Sequence, residues 1–394
     1  MSTRDEPLYL DHNATTPLLP EVVEAMLPFL RSCFGNPSSG HAFGARARVA
    51  VARAREQVAA LLGCEPDEVV LTSGGTEANN LAIRGLLEAL DVLEERSGRR
   101  PRGVLTSAVE HPATAGPCAW LARRGAPVTT LGVDAEGRLD LDEARTVLAG
   151  GGGEVALVTV MHAQNETGVL MPVRELARLG RASGAFVHTD AAQSVGKVDA
   201  RVDELEVDLL SLAGHKLYAP KGVGALYVRR GTPLAPLVLG AGHERGLRPG
   251  TENVASIVGL GVACEVAARE LFAEGARVSA LRDELGAALA RAVPGLVVTG
   301  QASPRLPNTL HVRFPKARGS AVLEHAPTIA ASTGSACHAG HERASAVLVA
   351  MGIDPEDALG SVRLTLGRGT TAADVDEAAT ALAAAYRAVA SGER

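Results

Sequence analysis

Three short stretches of this chain carry residue types and spacings that could do chemistry. In FVHTDAAQ, Asp190 stands just past an apolar run, with Gln193 three residues on. LLSLAGHKLYAPKGVG sets Lys216 after another apolar run, beside His215 and among glycines. In LTSGGTEANN, a strand-like run meets two glycines and then Thr76 at a helix start. Free backbone N–H groups and a hydroxyl at such a turn can hold an anion such as phosphate. Each stretch also has a plain reading: Asp190 could cap a helix, Lys216 could be a solvated turn residue, and Gly-rich strand-to-helix turns are common. Scarcity raises the interest of Lys216. Of the 39 Lys+Arg residues only Lys197, Lys216, Lys221 and Lys316 are lysine, so chemistry needing an uncharged amine has few candidates. An amine, a carboxylate and a phosphate cradle in this order on successive strands suggest pyridoxal phosphate. The amine would bond the cofactor, the carboxylate would keep its pyridine nitrogen protonated, and the helix start would hold its phosphate.

A fourth stretch, STGSACHAGHE, places Cys337 between small residues and ahead of His338 and His341. Its residues alone leave three readings open: a nucleophile, a metal ligand, or a small buried side chain. Sulfur and imidazole suit zinc, but no fourth ligand is visible and no metal site is expected. Gly334 and Gly340 bracket the cysteine with residues that permit unusual backbone angles.

The elements that must position these residues follow from hydrophobic patterning. Short apolar runs at 68–73, 103–111, 126–132, 154–162, 185–190, 207–214 and 223–230 read as strands, with helical stretches such as 172–183 between several of them. Most are continuously apolar and bounded by Gly, Pro or charge, as in strands covered on both faces. The pattern predicts an α/β layered domain with a mainly parallel sheet. In such sheets ligands bind beyond the carboxyl ends of the strands, where Asp190, Lys216 and Thr76 fall. After about residue 255 the character changes. Two Ala-rich helices are expected at 255–273 and 276–292, then half-exposed alternating strands in GLVVTG, NTLHVRF and SVRLTLG, and a final helix after Thr371. The Gly run 150–153 reads as a turn and the basic stretch 95–103 as a solvated loop.

Bulk properties narrow the function classes. The 394 residues are 46% hydrophobic and 21% charged, enough for a sizeable core. A net charge of −6 argues against nucleic acid or an anionic membrane as a general partner. No apolar run approaches a membrane span, and the polar stretch Met1–Asp11 does not read as a signal peptide. Five scattered cysteines, an odd number, point to reduced thiols in a cytoplasm. Of these, Cys64 and Cys264 read as core residues.

Taken in order, YLDHNATTP, FGNPSSGH, TSGGTEANNLAI, Glu110-His111, QNETG, TDAAQSVGK, GHKLYAPKGVGALYVRR, GHERGLRPGTEN, GSAC and VRLTLGR resemble the cysteine desulfurase family, over residues 7 to 385. The resemblance implies a fold-type I pyridoxal-phosphate transferase. Its large α/β domain would span 15–260; a smaller α+β domain would combine 1–14 with 261–394 and carry Cys337 and Arg363. Lys216 would hold the cofactor and later move the Cα proton of the substrate. Asp190 would pair with the pyridinium, Gln193 would reach the phenolic oxygen, and His111 would stack on the ring and assist proton transfer at the substrate thiol. Gly75, Thr76 and His215 would lie at the phosphate, and Thr251 would reach the phosphate of a neighbouring subunit in a homodimer. Asn165 and Arg363 would hold the substrate carboxylate, the arginine through its planar fork. Cys337 would take sulfur from L-cysteine as a persulfide, leaving L-alanine, for an unidentified acceptor protein. One departure stands out: Ala213 occupies a position where many desulfurases carry a phosphate-binding serine. Ala213 and the Cys-His-x-x-His pattern also resemble selenocysteine lyases, whereas Pro112 after His111 does not. A non-catalytic sulfur- or metal-binding module is the reading from a different class.

Overall fold

The computed structural model describes residues 6–95, 103–150, 155–334 and 343–392. Seven strands make the main sheet: β2 (Val69–Thr72), β3 (Gly103–Ser107), β4 (Val128–Leu131), β5 (Val155–Thr159), β6 (Phe186–Asp190), β7 (Leu209–Ala213) and β8 (Gly224–Val228). Their spatial order is β2-β8-β7-β6-β5-β3-β4, with β8 antiparallel to both neighbours and all other pairings parallel. The mainly parallel α/β architecture expected from the apolar runs is therefore present. Both faces are covered except along the edge strand β4, which is exposed at two of its four residues. Val69 and Leu71 of β2 enter one hydrophobic cluster while Val70 enters another. That double burial is why these strands read as continuous apolar runs instead of alternating ones.

A second sheet of three strands has the order β12-β10-β9, with β9 at Val297–Val298, β10 at Thr309–Arg313 and β12 at Ser361–Thr365. These strands were expected to be half-exposed, and β9 at the edge is, but β12 is buried along its whole length and β10 at all but Arg313. The alternation itself is real. Leu310, Val312, Val362 and Leu364 point into an apolar core, while the pairs Thr309–Thr365 and His311–Arg363 lie on the opposite face. That polar face is closed off by the N-terminal segment and the main sheet's rim instead of by water. Asp11 bridges to Thr365, and Asn13 donates to Thr309 Oγ1 at 2.9 Å. The N-terminal segment enters through β1 (Leu8–Tyr9), which pairs in parallel with β11 (Ile329–Ala330).

The two helices expected between 255 and 292 are one helix of 39 residues, Val254–Ala292, roughly 58 Å long at 1.5 Å per residue. Gly275 near its middle costs about 1 kcal/mol relative to alanine, which is too little to end a helix whose two halves are both anchored. Ile257, Leu260 and Cys264 pack into the main-sheet core, and Leu281, Leu285 and Leu289 into the small-sheet core. The expected border at 260/261 falls inside this rod. The final helix, Ala372–Ser391, starts as read, with Thr371 and Asp374 forming a reciprocal capping box. Among the described residues no helix is long and apolar enough to cross a membrane. Residues 96–102, most of the basic stretch, and the glycines 151–153 lie outside the described residues. Cys264 is buried as expected, whereas Cys64 is only partly so.

Candidate active site

The loops at the carboxyl ends of the main-sheet strands converge on one cavity of about 230 Å³. Gly75, Thr76, His111, Asn165, Asp190, Gln193, His215 and Lys216 all line it, with Ala213 and Asn79. Each arrives for a local reason. After β2 the chain turns at Gly74, whose φ of 145° is closed to side chains bearing Cβ, and a helix starts at Gly75. Gly224 of β8 approaches that turn so closely that a Cβ there would lie 2.7 Å from Gly74 Cα. Past β3, His111 caps the helix Pro112–Ala122, its Nδ1 accepting from Ala113 N at 3.1 Å. The cap sets the ring: in the neutral imidazole the proton must sit on Nε2. Burial lowers the His111 pKa, with the charge of Asp190 opposing and that of Lys216 adding to the effect.

Asp190 closes β6, and it both caps and serves the cavity. Its Oδ1 accepts from Ala192 N at 3.0 Å, while Oδ2 accepts from Asn79 Nδ2 at 2.6 Å. Lys216 ends the short turn Gly214–Lys216 after β7, the strand adjacent to β6. Its Nζ donates to the backbone carbonyls of Asn13 and, at 2.8 Å, Ala14. Burial brings its pKa down to about 8, the nearby Arg363 guanidinium acting in the same direction and Asp11 and Asp190 against it. A lysine with that pKa is partly uncharged at neutral pH. His215, whose Nδ1 lies 3.2 Å from Thr15 Oγ1, is lowered to about 4, first by burial and then by the surrounding lysines.

Arg363 does not line the cavity. It stands behind Asn165, donating from Nη1 to the Asn165 carbonyl at 3.1 Å and from Nη2 to Asp11 Oδ1 at 2.7 Å. The structural ion pair is thus present, and Nε is buried with no hydrogen-bond partner. Thr251 lies elsewhere, in an open cavity of about 840 Å³ with Ser38, Arg48, Arg55 and His243. Cys337, His338 and His341 fall outside the described residues.

Sequence reasoning missed several residues at this site. Asn13 accepts on its backbone carbonyl from both Lys216 and Gln193, and its side chain joins Lys197, Thr309, Asn308 and the Asn165 carbonyl. Glu110, fully enclosed, accepts from Met161 N at 3.0 Å and from Ser107 Oγ at 2.5 Å, tying the end of β3 to the segment after β5. Burial pushes its pKa up to about 8. Both sit in the quoted motifs YLDHNATTP and Glu110-His111, but no spacing rule marks them, because most of their partners are remote in sequence.

The cavity matches the needs of pyridoxal phosphate on its own geometry. An amine whose described partners are carbonyls, a carboxylate one strand away, an imidazole with a fixed tautomer and a Gly-opened helix start all face one space. Comparison with known proteins agrees with this geometry. The family model for aminotransferase class-V matches residues 8–378. A cysteine desulfurase of Gluconacetobacter diazotrophicus is 49% identical over 373 residues, covering 94% of this chain and 90% of the relative. Among solved structures, a NifS-like protein superposes with a TM-score of 0.86 at 34% identity, covering 98% of this chain and 99% of its own. SspA in complex with cysteine reaches 0.78 at 34% identity, covering 91% and 98%. The chain belongs to the class-V aminotransferase family, whose fold-type I members work with pyridoxal phosphate. Within that family it stands with the cysteine desulfurases.

Proposed function

We propose that this desulfurase removes sulfur from L-cysteine with pyridoxal phosphate held in the Lys216 cavity, and that Lys216, His111 and Cys337 divide the protein's share of the work. The observation that carries the reading is the placement of Lys216 and Asp190 at the ends of adjacent parallel strands, facing one cavity. Asp190 would hold the pyridine nitrogen, Gln193 the phenolic oxygen, and Gly75, Thr76 and His215 the phosphate. When bound, the cofactor supplies a sink for the electron pair released at the substrate Cα. Lys216, partly uncharged near neutral pH, takes the Cα proton. Arg363 and Asn165 orient the substrate carboxylate. His111 covers the cavity and holds its proton on Nε2, on the side away from its own cap. Cys337, as thiolate, attacks the substrate sulfur. An S–S bond forms as the Cβ–S bond breaks, the electron pair stays with carbon, and protonation there completes the methyl group of L-alanine. The persulfide then passes to an acceptor protein.

Borohydride reduction of the protein loaded with pyridoxal phosphate should leave the label on Lys216, located by peptide mapping; a label on any other lysine rejects the reading. Cys337→Ser should retain that label but lose sulfide release under reductant. Turnover of L-cysteine and L-selenocysteine side by side, read as alanine formed, separates sulfur from selenium chemistry. Dimerisation is part of the same proposal. Thr251 lines a separate cavity and not its own Lys216 cavity, which suits a residue serving a neighbouring subunit. Sedimentation analysis of the protein and of Thr251→Ala tests that arrangement.

A further inference from the structure

Lys197 follows Gln193 by four residues, on the turn after β6 where Gly196 has a φ of 77°. It does not line the Lys216 cavity; it approaches from behind, where it borders a separate small pocket with His12, Tyr218 and Asn308. Its Nζ donates to Gln193 Oε1 at 3.0 Å and to Asn13 Oδ1 at 3.0 Å. Both partners are carboxamide oxygens, so the amine is the donor in each bond, although burial and the charges of Lys216 and Arg363 hold its pKa well below the usual lysine value. That settles which way each carboxamide faces. Gln193 must turn its NH₂ away from Lys197, and it donates to the Asn13 carbonyl at 2.9 Å. Asn13 must do the same, and its NH₂ reaches Thr309 Oγ1 at 2.9 Å and the Asn165 carbonyl at 3.2 Å. The Asn165 carbonyl also accepts from Arg363, and the Asn13 carbonyl from Lys216. The Lys197 amine on one side and the Asn13 and Asn165 carbonyls on the other, with Asn308 also donating to Asn13 Oδ1, thus set the polarity of a hydrogen-bond chain running from Lys216 to Arg363.

We propose that Lys197 is a positioning residue: by donating to both carboxamide oxygens it presents the Gln193 NH₂ to the cofactor's phenolic oxygen and the Asn13 NH₂ to the Asn165 carbonyl. The proposal rests on the pyridoxal-phosphate reading above. Without Lys197 the Gln193 oxygen loses its donor and only the Asn13 carbonyl still favours this orientation, so the amide more often offers its oxygen, which repels an ionised phenolic oxygen instead of stabilising it.

The test uses apo-protein reconstituted with pyridoxal phosphate, read by equilibrium dialysis and by the pH midpoint of the visible absorption band. Lys197→Met keeps the stem and removes the donors. Its affinity for pyridoxal phosphate should fall by about tenfold, the scale of one lost charge-assisted hydrogen bond, and the absorption midpoint should rise. Lys197→Gln, which restores an NH₂ donor on a shorter stem and is the milder change for folding, should lie between wild type and Lys197→Met. In a Gln193→Ala background Lys197→Met should move the midpoint little further, because the group it orients is gone. An unchanged affinity and midpoint in Lys197→Met overturns the proposal, as does a midpoint shift that is fully additive with Gln193→Ala. Wild-type protein that binds no pyridoxal phosphate would overturn the cofactor reading as well, so the two failures are distinguishable.

Discussion

The seven-stranded and three-stranded sheets both bury their central strands, yet they bring functional groups to the site in opposite ways. On the main sheet the strands are mostly apolar, Asp190 is the last residue of β6, and Lys216 and His111 follow just beyond strand ends, where the chain leaves the hydrogen-bond ladder. On the small sheet Arg363 sits in mid-strand, on a polar face sealed by Asn13 and Asp11. Loop residues at a strand end can change with little disturbance to the core. A charged residue in mid-strand is tied to its neighbours, and its removal leaves buried partners behind. The comparison therefore predicts clean chemical losses at the main-sheet rim and mixed losses on the small sheet.

The largest expected effect is at the rim. Lys216→Ala should cut alanine formation by about 10⁴-fold or more, the upper range for losing a positioned acid–base group, with an unchanged thermal midpoint for the apo-protein within a few degrees. A variant that unfolds instead would erase the contrast between the two sheets. Arg363→Ala should lower kcat/KM by about 10²-fold and also destabilise the protein, since Asp11 loses its partner. Asp11→Asn separates the two contributions. A loss under about tenfold assigns Arg363 mainly to substrate, whereas a loss equal to that of Arg363→Ala assigns it to structure.

The rim amine can also be examined without cofactor. Competitive trace acetylation of apo-protein should show Lys216 reacting with a midpoint near pH 8. The linkage sign follows from that value. The unfolded chain keeps lysine protons up to about 10.5, so between pH 8 and 10.5 the unfolded state binds more protons and apo-protein stability rises with pH. Below pH 8 the cost of burying the charged amine is fully present. Comparing denaturation midpoints of wild type and Lys216→Met across this window should show the two curves converging at high pH. Ala213→Ser should strengthen pyridoxal-phosphate binding by a few-fold through one added hydrogen bond, measured by dialysis. The smallest effect is expected far from the site. Thr371→Ala removes the cap of the last helix and should cost about 1 kcal/mol by denaturant unfolding, with activity unchanged.

Legibility differed between the sheets for the same reason as function did. Each main-sheet strand falls within its apolar run, and Asp190 and Lys216 could be singled out because a polar residue after a buried strand breaks a strong pattern. The small-sheet alternation was visible in NTLHVRF and SVRLTLG, but its polar face was assigned to water. Alternation reports two unlike faces; it does not report what covers the polar one. The helix Val254–Ala292 was read as two because Gly275 interrupts the pattern, and only packing on both sides of that glycine joins the halves. The hydrogen-bonding roles of Asn13 and Lys197 were not legible because they lie in partners up to 352 residues away, as in the bond from Asn13 N to Thr365 Oγ1.

By itself the sequence determined the layered α/β architecture, the amine, carboxylate and anion cradle at strand ends, and, through ordered motifs, the family. These are local properties: periodicity, turn chemistry and residue type within a few positions. Tertiary structure decided which polar groups share one enclosed space, that burial draws Lys216 down to about 8, that Arg363 is held by Asp11, and that Lys197 orients two carboxamides from behind. Desolvation and hydrogen-bond direction depend on neighbours distant in the chain, and no local pattern encodes them.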